Sequence, residues 1–285
     1  MKNGHVKTIG FIDYYISEWH ANHYPEWIKQ VCEKTGKKFE VRYAWAEEYV
    51  SPVDGKNTDE WCKEYGVERC ETIAEICEKA DYLIVLAPSD PEKHLGYAQE
   101  VLKYKKNTYI DKTFAPDYAT AKEIFAIGEK YGTKFFSSSA LRFGNESNGL
   151  GDVKALVTTG GGGNIGEYII HQIEPTVKIL KARPVSLKTE CFGEDYVIFV
   201  TFESGKTAIM NYATMFPFAA HYRREDGSYG YTTIESSTFI NLLTAILEFF
   251  ETGELPFDPE ETLYVMKIRE GVIKSLNCFG EEIKL

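Results

Sequence analysis

A chain of 285 residues can bury one large core or two moderate ones, and with 26% charged and 44% apolar residues its composition argues against wholesale disorder. A formal charge of −11 argues against nucleic acid or an anionic membrane surface as the main partner, because both are polyanions. No stretch reaches the ~20 apolar residues of a membrane span, and M-K-N-G-H-V-K lacks the apolar run of a signal peptide, so a soluble cytoplasmic protein is expected.

In chain order, Val6–Ile12 reads as a first strand and Glu18–Thr35 as a helix with Trp19, His23, Trp27 and Val31 on one stripe. Lys38–Trp45 is a second strand, Ser51–Asn57 a loop, and Asp59–Tyr65 and Thr72–Lys79 short helices. The run Asp81–Ala87 is a buried third strand closed by Pro88-Ser89-Asp90-Pro91. His94–Tyr104 is helical, Asn107–Ile110 a fourth strand, Asp117–Tyr131 an amphipathic helix and Lys134–Ser138 a fifth strand. The alternation of strand and helix predicts βαβ units and a parallel sheet.

The character then changes. Leu141–Gly163 is rich in glycine and asparagine and holds one strand, Val153–Thr159, before a helix over Gly166–Leu180. Antiparallel patterning follows in Val185–Cys191, Tyr196–Phe202 and Thr207–Tyr212, the last two joined across Glu203-Ser204-Gly205. Helices over Ser237–Glu251 and Pro259–Leu276 close the chain. The expected fold class is α/β: a doubly wound parallel domain of the Rossmann type over residues 1–139, then an α+β domain with a mainly antiparallel open sheet over 140–285.

In a doubly wound sheet a ligand sits beyond the carboxyl ends of the strands, which selects Asp13–Ser17, Glu47-Glu48, Pro88–Asp90 and Asp111-Lys112-Thr113. A lysine directly after a buried strand, partly withdrawn from water, can lower its pKa and exchange a proton with a hydroxyl. The plainer reading of Lys112 is a surface lysine paired to Asp111. Glu167, His171 and Glu174, spaced i, i+4, i+7, share one helix face, and two carboxylates around an imidazole suit it to acid–base work. The plainer reading there is a core histidine beside an acidic neighbour. His20 and His23 could form half a metal site, but no third ligand is evident, and the six cysteines at 32, 62, 70, 77, 191 and 278 have no zinc-ligand spacing. No metal is expected, and the thiols are expected to be reduced and mostly buried.

Several segments together resemble the Gfo/Idh/MocA oxidoreductase family, named for glucose–fructose oxidoreductase and inositol dehydrogenase. Y-I-D-K-T-F-A-P-D-Y-A-T-A-K is similar to its E-K-P segment, V-L-A-P-S-D-P-E-K-H to its strand-Pro…His segment beside the cofactor, and G-G-G-N-I-G-E-Y-I-I-H-Q-I-E to its glycine-led H-x-x-D helix. The closing S-L-N-C-F-G-E-E-I-K-L resembles the helix, glycine and short strand that end such chains.

The resemblance implies an N-terminal domain binding NAD or NADP, a sugar-like, cyclitol or polyol substrate, and an open C-terminal sheet that pairs subunits in a homo-oligomer. It implies that Lys112 and His171 move the hydroxyl proton during hydride transfer, with Glu167 and Glu174 where aspartates are usual. It also places Gly10, Asp13, Tyr15, Glu47, Pro88, His94 and Asp111 beside the cofactor, with Glu47 as the ribose acceptor.

Two departures bear on this. Thr113 stands where the motif has proline, and Asp13, Tyr15 and about Glu18 stand where the family has the glycines that admit a pyrophosphate. A second reading is therefore open: a relative without redox activity, either a non-redox enzyme using Lys112 and His171 or a binding or partner subunit.

Overall fold

The computed structural model describes residues 5–285, and the chain divides into two compact units. The first runs to Ser138 and takes in Leu242–Phe257; the second comprises Ser139–Asn241 and Asp258–Leu285. The sequence reading kept both closing helices in the second domain, whereas Leu242–Phe257 returns to the first. The cause is aromatic packing: Phe250 stacks on Tyr82 with ring centroids 4.7 Å apart, and Phe249 meets Phe136 edge-on at 5.3 Å.

The first unit is built from β1 (Lys7–Tyr15), α1 (Trp19–Thr35), β2 (Phe39–Glu48), α2 (Thr58–Tyr65), β3 (Glu68–Arg69), α3 (Ile73–Lys79), β4 (Tyr82–Val85), α4 (His94–Val101), β5 (Thr108–Ile110), α5 (Tyr118–Tyr131) and β6 (Phe135–Phe136). Its sheet has the order β3-β2-β1-β4-β5-β6, and every pair is parallel. Leu83, Ile84 and Val85 are fully buried, as the continuous apolar run of that strand requires when helices cover both faces. Helices begin at side chains that accept their first N–H groups: Glu18 for α1, Asn57 for α2, Thr72 for α3 and Asp117 for α5. Gly36 and Gly132, at φ +75° and +67°, end α1 and α5 in the left-handed conformation that glycine adopts without steric cost.

The second unit contains β7 (Val153–Gly160), α6 (Ile165–Tyr168), α7 (Ile170–Leu180), β8 (Pro184–Phe192), β9 (Asp195–Phe202), β10 (Thr207–Tyr212), β11 (Ala219–Arg224), β12 (Tyr229–Thr233), α8 (Thr238–Thr252, most of which belongs to the first unit), α9 (Pro259–Ser275) and β13 (Ile283–Lys284). The sheet order is β12-β11-β7-β10-β9-β8-β13, antiparallel except for β7 beside β10. Helices α7 and α9 cover one face, where Ile198, Val200, Phe202, Ala208 and Met210 join the core with Ile173, Val177, Ile268 and Val272. The alternate residues point the other way. Paired neighbours Tyr231, His221, Val157, Ile209 and Phe199 form a row across that opposite face.

The observed fold is thus a Rossmann-like parallel sheet followed by an α+β unit with a mainly antiparallel sheet, as expected. Four details differ, the first being the two-residue edge strand β3 beside β2, which no strand pattern announced. β1 continues to Tyr15 because it stays paired with β2 as far as Tyr15 opposite Glu48. The helix expected over Gly166–Leu180 breaks at Ile169 into α6 and α7. The hairpin of β11 and β12, turning at Gly227 (φ +85°), was not read from its polar, aromatic sequence.

Candidate functional site

Three strands of the first unit deliver their last residues to one edge of the sheet. Asp13 lies near the end of β1, Ala87-Pro88 follows β4, and Asp111-Lys112-Thr113 follows β5. Asp13 is 1% exposed, and its Oδ1 accepts from Tyr14 N at 2.7 Å and Ala87 N at 3.0 Å. Its Oδ2 and the buried Thr113 Oγ1 have no hydrogen-bond partner among the described residues. Burial, then the charges of Glu18 and Asp111, push the Asp13 carboxyl well above the usual carboxylate range, against the pull of its two backbone donors.

Glu18 closes the turn. Its carboxylate accepts from His20 N at 2.8 Å and from Ala21 N, filling the donors at the start of α1. Burial raises its pKa, partly offset by the His20 charge. The turn is held from outside as well: Ser51 Oγ donates to Ser17 O at 2.8 Å, and Ser17 Oγ to Asp54 Oδ2 at 2.7 Å. His20 pairs through Nδ1 with Asp111 Oδ2 and stacks on Tyr24. Asp111 also accepts from Tyr109 Oη at 3.1 Å and Lys112 N at 2.7 Å. Burial alone would raise Asp111, but the charge and hydrogen bond of His20, with Lys112 adding to them, hold its carboxyl below the usual range.

Lys112 is 8% exposed, and its Nζ donates to Pro88 O at 3.3 Å. The Lys112–Thr113 peptide is cis, with threonine standing where the motif has proline. It is not the surface lysine of the plainer reading.

The other residues expected beside a cofactor are placed as follows. Gly10 lies inside β1, where a Cβ would come within 2.7 Å of Ile76 Cγ1, so its smallness serves packing against α3. Tyr15 ends β1 with its ring against Tyr14. Glu47, near the end of β2, is exposed and bonded to Lys93 Nζ at 2.6 Å and Tyr97 Oη at 2.7 Å. Although slight burial works the other way, these donors hold its carboxyl below the usual range. His94 is fully buried, its ring nitrogens facing Phe114 O and Leu86 O, and bridges the segments after β4 and β5.

A dinucleotide needs donors left open at the start of α1 and a turn without side chains beside its pyrophosphate. Here Glu18 takes two of those donors, and β1 continues through Asp13 to Tyr15 where the turn would have to open. The residues present therefore do not fit a nicotinamide dinucleotide held in that position.

In the second unit, His171 Nδ1 is hydrogen-bonded to Ser139 Oγ at 2.6 Å, with Tyr168 and Phe218 edge-on to the ring. Glu174 is buried and turned to Ser139 N at 3.1 Å and Arg142 Nη1 at 3.2 Å. Glu167 lies in α6, its backbone N–H donating to Asn164 Oδ1 at 2.9 Å. The break at Ile169 separates it from the regular face of α7, so the three residues do not share one uninterrupted helix. Ser139 links His171 with Glu174. Ser139 and Arg142 were not selected from the sequence, since nothing in S-S-S-A-L-R distinguishes them from loop residues. Of the three glycines before this helix, Gly161 and Gly162 answer to packing: a Cβ would lie 1.9 Å from Ala213 O and 2.0 Å from the Tyr168 ring respectively.

A cavity of about 630 Å3 in the same unit is lined by Ser147, Asn148, Gly151, Asp152, Lys178 and Lys206, among others. Lys178 Nζ donates to Arg142 O, Ser147 Oγ and Asn148 Oδ1 at 2.7–2.9 Å. Burial and the nearby Arg142 charge bring its amine down to about 8. Among the described residues no three His, Cys, Asp or Glu side chains are grouped to hold a metal ion, and no helix is long and apolar enough to cross a membrane.

No protein-family model and no curated protein matches the sequence. Solved structures do match it. A "probable dehydrogenase" from Thermotoga maritima has a TM-score of 0.77 at 13% identity, covering 97% of this chain and 98% of that one. The apo scyllo-inositol dehydrogenase of Lactobacillus casei has a TM-score of 0.74 at 12% identity, covering 98% of each chain. The aldose-aldose oxidoreductase of Caulobacter crescentus, complexed with glycerol, has a TM-score of 0.73 at 16% identity, covering 99% of this chain and 100% of that one. The parallel sheet of the first unit and the sheet-and-helix unit that follows it in the chain have the fold of the Gfo/Idh/MocA-type oxidoreductases.

Proposed function

We propose that this protein is an enzyme acting on a small sugar-like or polyol substrate, with Lys112 moving a hydroxyl proton. The observation that carries the reading is the burial of Lys112 at the end of β5, with its ammonium directed to a backbone carbonyl and Asp111 engaged by His20. A lysine kept there against the cost of desolvation is placed for chemistry more than for solubility. His171, oriented through Nδ1 by Ser139, is proposed as a second proton-transfer residue, and the two are tested by separate substitutions.

Because the β1–α1 turn does not fit a dinucleotide, the reaction is proposed to be non-redox acid–base chemistry on a hydroxylated substrate. A second reading, a dehydrogenase holding NAD or NADP in another pose, is supported by the oxidoreductase names of the structural neighbours.

The test is turnover of a panel of unphosphorylated sugars, cyclitols and their keto forms, followed by NMR with and without NAD or NADP. Lys112→Ala is expected to lower turnover by about 10²- to 10⁴-fold, the usual weight of general acid–base catalysis. Turnover unchanged by that substitution would remove Lys112 from the chemistry. Turnover only with added nicotinamide would establish the second reading.

A further inference from the structure

The acidic residues at the end of β1 do more than lack the shape of a phosphate turn. We propose that the first unit is closed to dinucleotides by its own carboxylates, with Glu18 acting as an internal anion at the start of α1. Three observations carry this. The Glu18 carboxylate caps His20 N and Ala21 N, donors that a bound phosphate would otherwise use. β1 stays paired to β2 through Asp13 opposite Ala46 and Tyr15 opposite Glu48, so strand continues where a wide turn would have to open. Asp13, Glu18 and Asp111 are all buried in this segment, and Asp111, whose carboxyl His20 holds below the usual range, puts negative charge where a polyphosphate would lie.

The periphery is engaged as well. Ser51 and Asp54 clasp the turn at Ser17, and the Glu47 carboxylate is held by Lys93 and Tyr97. Lys93 in turn lies 4.2 Å from the centre of the Tyr14 ring. A nucleotide entering here would have to displace an internal cap and break this clasp.

The experiment is calorimetric titration of the full chain with ADP-ribose, NADH and NADPH. The wild type is expected to show no saturable binding up to millimolar ligand. The Asp13→Gly/Glu18→Gly variant is expected to bind ADP-ribose at least tenfold more tightly than the wild-type limit. Should that variant fail to fold, Glu18→Gly alone removes both the cap and the charge, and a gain in the same direction is expected. Saturable wild-type binding overturns the proposal, and so does a folded variant that gains nothing. The Lys112 reading depends on turnover and this one on binding, so each can fail alone.

Discussion

Asp13 is the residue where local chemistry is least comfortable: a buried carboxyl with one oxygen that has no hydrogen-bond partner among the described residues, beside two further acids. Its pKa is raised on folding, so its contribution to stability falls as pH climbs from the unfolded carboxyl value towards the folded one, and the cost persists above that. Asp13→Asn removes the charge and keeps an acceptor for Tyr14 N and Ala87 N. It is expected to stabilise the chain at pH 8, with the gain shrinking towards pH 4. Denaturation midpoints at the two pH values check this, and an equal effect at both would contradict it. Asp111 works in the opposite sense. Its lowered carboxyl gives stability that is present above the unfolded value and lost as acid protonates it. The lysine after β5 was legible in the sequence, because a strand followed by D-K-T is a local pattern. The partner of the neighbouring Asp111 was not, since His20 lies 91 residues from Asp111 and reaches it only through the sheet order.

At the scale of elements, α7 is tied to the segment entering the second unit by a polar cluster. Glu174 binds Ser139 N and Arg142, and Arg142 also pairs with Glu261 of α9. Glu174→Ala leaves the buried Arg142 guanidinium short of charge and Ser139 N without that acceptor, so a loss of about 3 kcal/mol is expected by urea denaturation. A loss below about 1 kcal/mol would show that Glu261 suffices. The sequence placed Glu174 beside His171 on one helix face, which regular spacing would dictate. Both stay in α7 and meet at Ser139, but the Glu174 carboxylate is engaged by Ser139 N and Arg142. Helical periodicity carries no information about a charged partner 32 residues away.

For the whole molecule, the uncovered face of the second sheet bears Tyr229, Tyr231 and Phe199, exposed to 86%, 73% and 40%. A contiguous aromatic and aliphatic row of this kind suits association, and the homo-oligomer implied by the family resemblance is proposed to form through it. Phe199→Lys combined with Tyr231→Lys is expected to shift the chain towards monomer in analytical ultracentrifugation. A mass identical to that of wild type would direct the interface elsewhere.

By itself the sequence determined the two-sheet architecture and most of its strands, though not β3, β11 and β12, because period-2 and period-3.6 patterning, caps and turn residues act within a few positions. It also exposed the missing glycines, since residue type at a turn is local information. Tertiary structure alone decided where Leu242–Phe257 packs, that Lys112 is buried, and that Glu18 serves as the cap of α1. Those outcomes depend on which desolvated groups find partners from distant segments, and that is settled only when the strands are brought together.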